Sequence, residues 1–579
     1  MLRHSVQWAI LPLRDFLVGA PSSISSVSGV PRYHIRFQDI DAFAQDDYLV
    51  TSRLTLNLGV RYDHLGNPTE TQNRFSNFDP SLLSSSDATT GGAALKSAFV
   101  IAGQNGVSSS TYTISNYGSF SPRAGIVYDA FGNGQVIVRG GFGLYYQATV
   151  DAQTYMIMNP PFYISATSTN TTQTDILANP FQALPTPDQF PTWPTLPAIT
   201  KLSSSGVPIY TGTQLAAFSV DRKGKTPYTE NWALTVQTRV LPQWYLEIGY
   251  RGADGVKQPN LAFANNGLLV NSTTPGLLGV TTNSSANRDA RTPINGLGVN
   301  GLRRFNHAAF TSYNALLVTV THPLSRNFQI KGAYTFSKSI DPYTVGVDAN
   351  YGTGVGNEYI LGQSKGLSEQ HSPNRLVVTY VWDTPTFDAR ATRWLLSSWT
   401  LAGITTYQNG FAQTITQNSG NTTLTGSTGF GLLATNCNLV ASGRIEDHLN
   451  NYLNSSCASN QPLLSANSSI TGVNAYEAPG SGGYSIASNG SGRLLGKSTR
   501  GAYLAPFQRR WDASLSKHFR TPALGDRTEL EFRAEAFKLF NTPIFSAPAS
   551  VAGASTFGKI TSTTDTTGRQ FQFAVKLNY

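Results

Sequence analysis

From Leu54 to Tyr62 the chain alternates strictly: Leu54, Leu56, Leu58, Val60 and Tyr62 fall on one parity, and Thr55, Asn57, Gly59 and Arg61 on the other. A period of two sends successive side chains to opposite faces of a β-strand, so this segment reads as a strand with one apolar and one polar face. The last residues repeat the pattern, with Phe571, Phe573, Val575, Leu577 and Tyr579 alternating with Gln570, Gln572, Ala574, Lys576 and Asn578. About thirteen such segments run along the chain, each close to the roughly 9 to 11 residues that a tilted strand needs to cross a bilayer. They come in pairs, 34–49 with 54–64, 119–129 with 136–147, 229–240 with 244–253, 311–321 with 328–338, 374–382 with 398–409 and 508–519 with 529–540, and 569–579 stands alone.

The connections alternate as well. Short turns close each pair: Thr51-Ser52-Arg53, Phe131-Gly132-Asn133-Gly134, Leu241-Pro242-Gln243, His322-Pro323-Leu324-Ser325, Thr384 to Arg393, and Thr521-Pro522-Ala523-Leu524-Gly525. Asn133-Gly134 is a hairpin signal, with positive φ expected at both positions. Between pairs lie long Ser/Thr/Asn/Gly-rich stretches, 65–118, 148–228, 254–310, 339–373, 410–507 and 541–568. Long structureless loops are foreign to a compact soluble domain, whereas outer-membrane barrels carry short periplasmic turns and long extracellular loops. The fold class expected is therefore all-β, a transmembrane antiparallel β-barrel. With the short turns in the periplasm, segments 34–49 and 569–579 both run inward. Closure at an even count then calls for further strands upstream, in a larger barrel of about 22. Residues 1–33 read as a loop or remnant of an upstream barrel segment, and 34–579 as a partial barrel.

A barrel in lipid needs an apolar outer face and tolerates a wet inner one. Arg61, Arg139, Glu247, Arg251, Lys331, Glu531, Arg533 and Glu535 fall on the parity assigned to the lumen, and Val138, Phe142, Leu246, Ile248, Leu530 and Phe532 on the opposite one. A Lys or Arg facing lipid near the midplane would cost about 2–4 kcal/mol, which fixes the choice of face. Lys517 shares its parity with Trp511, Ala513 and Leu515, so it is expected at the periplasmic rim with its ammonium snorkelling to water. Tyr62, Tyr146, Trp232, Tyr250, Phe336, Trp382, Trp399, Tyr407, Trp511 and Phe519 lie at strand ends, as interfacial girdles require.

Composition narrows the alternatives. Only 13% of residues are charged, while Gly is 53 and Pro 30, which disfavours helices and a conventional soluble surface. The formal charge of +9 is scattered, its densest groups being Arg222-Lys223-Gly224-Lys225 and Arg303-Arg304, so no concentrated patch supports nucleic-acid binding. No run reaches the roughly 18 to 20 apolar residues of a helical span. At the N-terminus Pro12, Arg14 and Asp15 interrupt the short apolar run Trp8-Ala9-Ile10-Leu11, so no export signal is read there. Cys437 and Cys457 lie in a Ser/Asn/Gly-rich stretch; they are either a disulfide of an extracellular loop, on the oxidising side of a membrane, or two unpaired thiols.

Catalytic and cofactor chemistry finds little support. His34, His64, His307, His371 and His518 lack metal-ligand spacing. Gly140-Gly141-Phe142-Gly143 sits inside a strand with no helix after it, so it is not a phosphate loop. Glu531 and Glu535 flank Arg533 and read as a charge ladder rather than an acid/base pair. Asp341, Asp348 and Asn350 lack the spacing of a calcium loop. No enzyme activity, metal or cofactor is expected.

Several stretches resemble the barrel of Oar-like TonB-dependent transporters. They are Leu13-Arg14-Asp15-Phe16-Leu17-Val18-Gly19, Ala44-Gln45-Asp46-Asp47-Tyr48, Arg53 to Tyr62, Ser121-Pro122-Arg123-Ala124-Gly125-Ile126-Val127-Tyr128-Asp129, Val138 to Tyr146, Asn231-Trp232-Ala233-Leu234-Thr235-Val236-Gln237, Phe532 to Pro543 and the terminal strand. The resemblance implies that the strand with Phe571, Phe573, Val575, Leu577 and Tyr579 is a signal for the barrel-assembly machinery. It also implies an N-terminal plug, a carboxypeptidase-regulatory-like domain and a TonB box, none of which is read before Leu13. The expectation is the wall of a transporter that takes up a large solute when complete, contacts TonB only through the missing plug, and is transport-incompetent as this fragment. Glycan or peptide ligands at the extracellular loops fit the same family. The alternative is a non-transporting outer-membrane adhesion or matrix-binding protein on the same barrel; a secreted soluble β-protein is a third reading.

Overall fold

The computed structural model of the chain describes residues 23–28 and 33–578 except for 114–117, 149–155, 170–192, 194, 205, 212–214, 269, 271, 273–274, 326, 343–364, 388, 418–431, 434–436, 460–499, 521–527 and 566. Its centre is a sheet in which each long strand pairs antiparallel with the next along the chain. These strands are β1 (Asp39–Thr51), β2 (Leu54–Leu65), β3 (Ser119–Asp129), β4 (Val136–Tyr146), β5 (Tyr228–Leu241), β6 (Trp244–Ala264), β7 (Leu297–Ser325), β8 (Phe328–Asp341), β9 (Asn374–Asp383), β10 (Trp399–Gln408), β11 (Gln508–Arg520), β12 (Glu529–Phe537) and β13 (Gln570–Asn578). Two short strands, Leu215–Val220 parallel to β7 and Gly366–Leu367 against β8, complete the 15-stranded sheet, whose edges are β1 and β13. The expected meander of hairpins is present.

The turn after β3 shows how local chemistry sets the pairing. Left-handed backbone falls on Gly132 (φ 73°) and Gly134 (φ 68°), not on Asn133 and Gly134 as the dipeptide signal implied. The Asp129 carboxylate explains the choice, because it accepts the Gly132 N–H (2.9 Å) and the Gly134 N–H (2.8 Å) and folds the loop around itself. At the other end of the wall β12 stops at Phe537, short of the expected 540, because Lys538 turns to φ 54°.

The hairpin β6–β7 departs most from expectation. Its strands were read as 244–253 and 311–321 but extend to Ala264 and back to Leu297. Only Ser312–Ser325 of β7 pairs with β8; residues 302–309 pair with the far half of β6, and part of that stretch also meets Leu215–Val220. The buried apolar residues of the extension of β7, Leu297, Leu302, Phe305 and Ala309, fall on both parities, and the register with β6 slips between Gly255 and Asn260, so no period-two alternation runs through it.

The stretches read as structureless loops also fold. Phe75, Phe78, Leu95, Ala98, Phe99, Met156, Phe218, Val220, Leu261, Leu297, Leu302 and Phe305 are buried in two adjoining clusters above β2–β7. Asparagines supply much of the order. The Asn77 side chain donates to the Val220 carbonyl and accepts the Val220 N–H, both at 2.8 Å, and Asn159 does the same for Phe218. These amides occupy the place of a neighbouring strand, satisfying buried backbone groups that would otherwise cost about 1–3 kcal/mol each. A second lobe gathers Ile415, Leu453, Tyr503, Ala552, Phe557 and Ile560 above β10–β13. It is tied to β8 by a buried ion pair, Arg500 Nη2 to Asp341 Oδ1 at 3.1 Å.

Residues Ser23–Ser28 pair with Ile164–Thr169 in the long-loop region, and the rest of 1–32 lies outside the described residues. So do Asp348, Asn350 and the turn from Thr521 to Gly525.

Two predictions concern the larger lobe. Asn77→Leu should raise the protease sensitivity of the 65–118 and 148–228 segments, at a cost of about 2 kcal/mol or more in local stability, while heat-modifiable migration of the wall is retained. His307 sits beyond the part of β7 paired with β8, and burial pushes its imidazole from 6.5 to about 4, against a weaker opposing pull from Asp221. The folded lobe thus favours neutral His307, whose contribution is present above pH 6.5 and is lost as pH falls toward 4, up to roughly 3 kcal/mol. Hydrogen exchange at Phe305 and Val220 should accelerate across that window in the native protein and stay flat in His307→Phe.

Candidate functional site

Directly opposed residues of neighbouring antiparallel strands share a face, so the register assigns both sides of the wall. One row runs Tyr48, Leu56, Ile126, Gly140, Leu234, Tyr250, Leu316 and Phe336 across eight strands. Of these Tyr48, Ile126, Leu234, Tyr250, Leu316 and Phe336 are large yet exposed, Leu234 at 53% and Phe336 at 52%. A parallel row holds Val138, Val236, Ile248, Val318 and Tyr334. An apolar band this continuous, left outward by the fold, is a surface whose solvent is hydrocarbon. Aromatic pairs border it, with Tyr62–Phe120, Tyr146–Tyr228 and Tyr407–Trp511 toward the loop side and Trp244–His322 and His322–Phe328 toward the short turns.

The charged residues read as luminal share the opposite face, but they do not converge on one centre. Arg61 is held between Asp63 (2.7 Å) and Asp41 (2.5 Å), and Arg139 donates to Gln237 (2.7 Å). Glu247 lies in register with Gln237 and Thr319, and Lys331 with Thr321 and Thr379. Arg533 reaches Glu531 at 2.6 Å and Glu535 at 3.7 Å, so the two glutamates are spanned by an arginine rather than facing one another. Such ladders neutralise themselves locally and keep a wet wall from carrying a large net field.

Between Arg61 and Glu247 the inner wall opens into a hollow of about 660 Å³. Its floor is made by two register rows, Asn57–Gly125–Gly141–Ala233–Arg251 and Gly59–Arg123–Gly143–Asn231–Ala253–Tyr313. Small residues thin the wall there. At Gly143 the missing side chain leaves room for Tyr145, since a Cβ would sit 2.8 Å from the Tyr145 hydroxyl oxygen and 2.9 Å from the ring and would displace it. The Arg123 guanidinium carbon lies 4.8 Å from the centroid of the Tyr145 ring. Asn57 donates to Asp47 at 2.6 Å on the rim. The hollow therefore offers cationic and amide donors over a glycine floor, a surface able to seat an extended polar segment or solute. Of its polar side chains only Arg251 had been singled out from the sequence; inward parity and the Gly141-x-Gly143 spacing were the signals for the others.

Lys517 corrects its expectation. It stands on the lipid-facing row Trp399–Lys517–Phe532–Val575, at the short-turn end, but its ammonium does not snorkel to water. It donates to the carbonyls of Trp394 (2.8 Å), Ser397 (2.8 Å) and Leu395 (3.3 Å). Sequence reading missed this partner because Thr384 to Arg393 read as a plain turn.

Cys437 and Cys457 are joined as a disulfide, with Cα atoms 5.6 Å apart, at the border of the second lobe. Phe571, Phe573, Val575 and Leu577 share the outer face of the edge strand β13, Phe573 and Val575 each 68% exposed. Tyr579 lies outside the described residues. Among the described residues no cluster of three or more His, Cys, Asp or Glu converges as a metal site would, and no helix is long and apolar enough to cross a membrane, which says nothing against strands.

Residues 4–572 match the family described as outer membrane beta barrel domain. No curated protein matches the sequence significantly. Solved structures of similar outline include the outer membrane transporter YddB from Escherichia coli (10% identity, 93% of this chain and 45% of that one, TM-score 0.39). The siderophore receptor PirA from Acinetobacter baumannii (9%, 93% and 45%, 0.37) and the copper transporter OprC (9%, 93% and 48%, 0.37) are also among them. The chain thus spans less than half the length of each of these structures.

The face assignment has a direct test in adjacent residues. Val318→Arg places a cation on the lipid face and should destabilise the folded protein by about 2–4 kcal/mol, whereas Thr319→Arg meets Glu247 inside and should cost under about 1 kcal/mol. Urea titrations in phospholipid vesicles, read by heat-modifiable electrophoresis, measure the difference.

Proposed function

Because the chain belongs to the outer membrane beta barrel domain family, and so resides in the outer membrane of a bacterium, we propose that it forms the wall of an Oar-like TonB-dependent transporter that takes up a large solute when joined to a plug. The observation that carries this reading is the inner face: a polar wall whose ion pairs are settled among themselves, yet which holds an open hollow floored by Gly59, Gly125, Gly141 and Gly143. A wall that only enclosed its own side chains would fill that space with larger residues. Small residues there favour close approach by a second polypeptide surface or a solute, as a plug requires. The ordered matches from Ala44-Gln45-Asp46-Asp47-Tyr48 to the terminal strand support the same subtype.

In this reading the short turns face the periplasm and the long-loop lobes, with the Cys437–Cys457 disulfide, face outside. Further strands complete the wall to about 22. The barrel-assembly machinery reads the terminal strand, TonB acts only through the plug, and the chain without a plug moves no solute actively. The packed lobes favour a second reading, a non-transporting adhesion or matrix-binding protein, because ordered loop lobes present a fixed surface to a glycan or peptide.

The upstream DNA separates the two. An in-frame plug and TonB box are expected, and cells carrying that longer protein should lose uptake of its solute when TonB is deleted. An intact gene without a plug, whose product reaches the surface and binds matrix equally well with or without TonB, would sink the transporter reading.

A further inference from the structure

The connection between β9 and β10 carries a helix, Arg390–Leu396, where the other described short connections are simple turns. Seven residues are too few for a helix to hold its shape alone in water. This one is held at its C-terminal end, where Lys517 donates to the carbonyls of Trp394, Leu395 and Ser397, and the Trp399 indole N–H donates to the Leu395 carbonyl at 2.7 Å. Lys517 and Trp399 are partners on the lipid-facing row, and the Lys517 ammonium lies 4.8 Å from the Trp399 ring centroid. The last turn of the helix is therefore folded over the outside of the wall and not into the lumen. Lys517 is left 5% exposed, its charge covered by the carbonyls of the helix end. The helix in turn holds outward three large apolar side chains in sequence, Trp394 at 70%, Leu395 at 58% and Leu396 at 45% exposure.

We propose that this helix is an interfacial anchor that lies in the headgroup and acyl boundary of the leaflet on the short-turn side, with phospholipid as its occupant. Three observations choose lipid over a protein partner. The helix end is joined to the lipid-facing row directly, since Trp399, on that row with Phe532 and Val575, donates to the Leu395 carbonyl. A tryptophan beside leucines is the composition of a membrane boundary. Arg393, exposed in the same short helix, brings a positive charge that matches anionic headgroups. The clasp does two things together, removing a lysine from hydrocarbon and orienting the anchor against the wall. The inference rests on the reading that β9, β10 and β11 cross the bilayer with this end in the periplasm.

The test uses the full chain in vesicles of phosphatidylethanolamine and phosphatidylglycerol. Its 2 cysteines are bonded to each other, so an added cysteine is the labelling site. A nitroxide at Leu395→Cys should collide with oxygen readily and with a water-soluble nickel chelate roughly fivefold less than one at Asn133→Cys in the β3–β4 turn. Lys517→Met should free the helix and raise the nickel collision rate at Leu395→Cys toward that reference. Equal nickel accessibility at positions 395 and 133 overturns the proposal, as does a label shielded from oxygen and nickel alike, which would mean a protein surface covers the helix. No change on Lys517→Met overturns the clasp. A label at Leu234→Cys, in mid-wall, keeps the two readings apart: if it meets nickel freely the membrane-spanning assignment itself has failed, whereas a lipid-buried Leu234 label beside a water-exposed Leu395 label rejects the anchor alone.

Discussion

Every long strand here answers to one requirement, that backbone N–H and C=O groups placed in hydrocarbon find partners within the protein. That requirement selects a sheet, and the sheet then dictates the rest. Register carries Leu56, Ile126, Leu234 and Leu316 onto one surface and sends Arg123, Arg251 and Arg533 to the other. Side-chain identity follows from which solvent each face meets. The few irregularities, the slip at Gly255 and Gln258 and the turn of backbone at Lys538, fall at or beyond the ends of the apolar band, where water or the loop lobes can satisfy what the ladder does not.

The wall was legible in the sequence because alternation between hydrocarbon and an aqueous lumen is a strong periodic signal. The segment 119–129 coincides with β3, and β8 to β11 were placed within a few residues. Where packing under the lobe replaces hydrocarbon and the register slips, buried residues no longer keep to one parity and the signal stops, although the backbone pairing continues; hence the missed outer halves of β6 and β7. The lobes were illegible for a different reason. Asn77, Asn159 and Asn265 order their surroundings by bonding to backbone far along the chain, and composition alone cannot distinguish such an amide from one hydrated in a loop. Of the candidate site, the inward parity of Arg251 and Arg139 was readable, whereas the hollow depends on which glycines become neighbours across three strands.

Charge is handled differently on the two faces. Inside, Arg61 and Arg533 are each matched by two carboxylates on their own or the adjacent strand, so removal of one partner leaves another. Outside, Lys517 is met among the described residues by main-chain carbonyls and no carboxylate, which brings partial negative charge without adding a second ion to desolvate. The long β9–β10 connection is the means of supplying them.

The larger lobe draws its core from residues 75–102, 156–220 and 261–305, three stretches of chain separated in sequence by the β3–β4 and β5–β6 hairpins. Phe218 and Val220 cannot acquire their strand neighbour until β7 is in place, nor Asn77 its partner until Val220 arrives. The lobe is therefore complete only when stretches of chain on either side of the β3–β4 and β5–β6 hairpins have met. Apart, these stretches have little apolar surface of their own to bury, and their Asn- and Ser-rich composition keeps such segments hydrated rather than sticky.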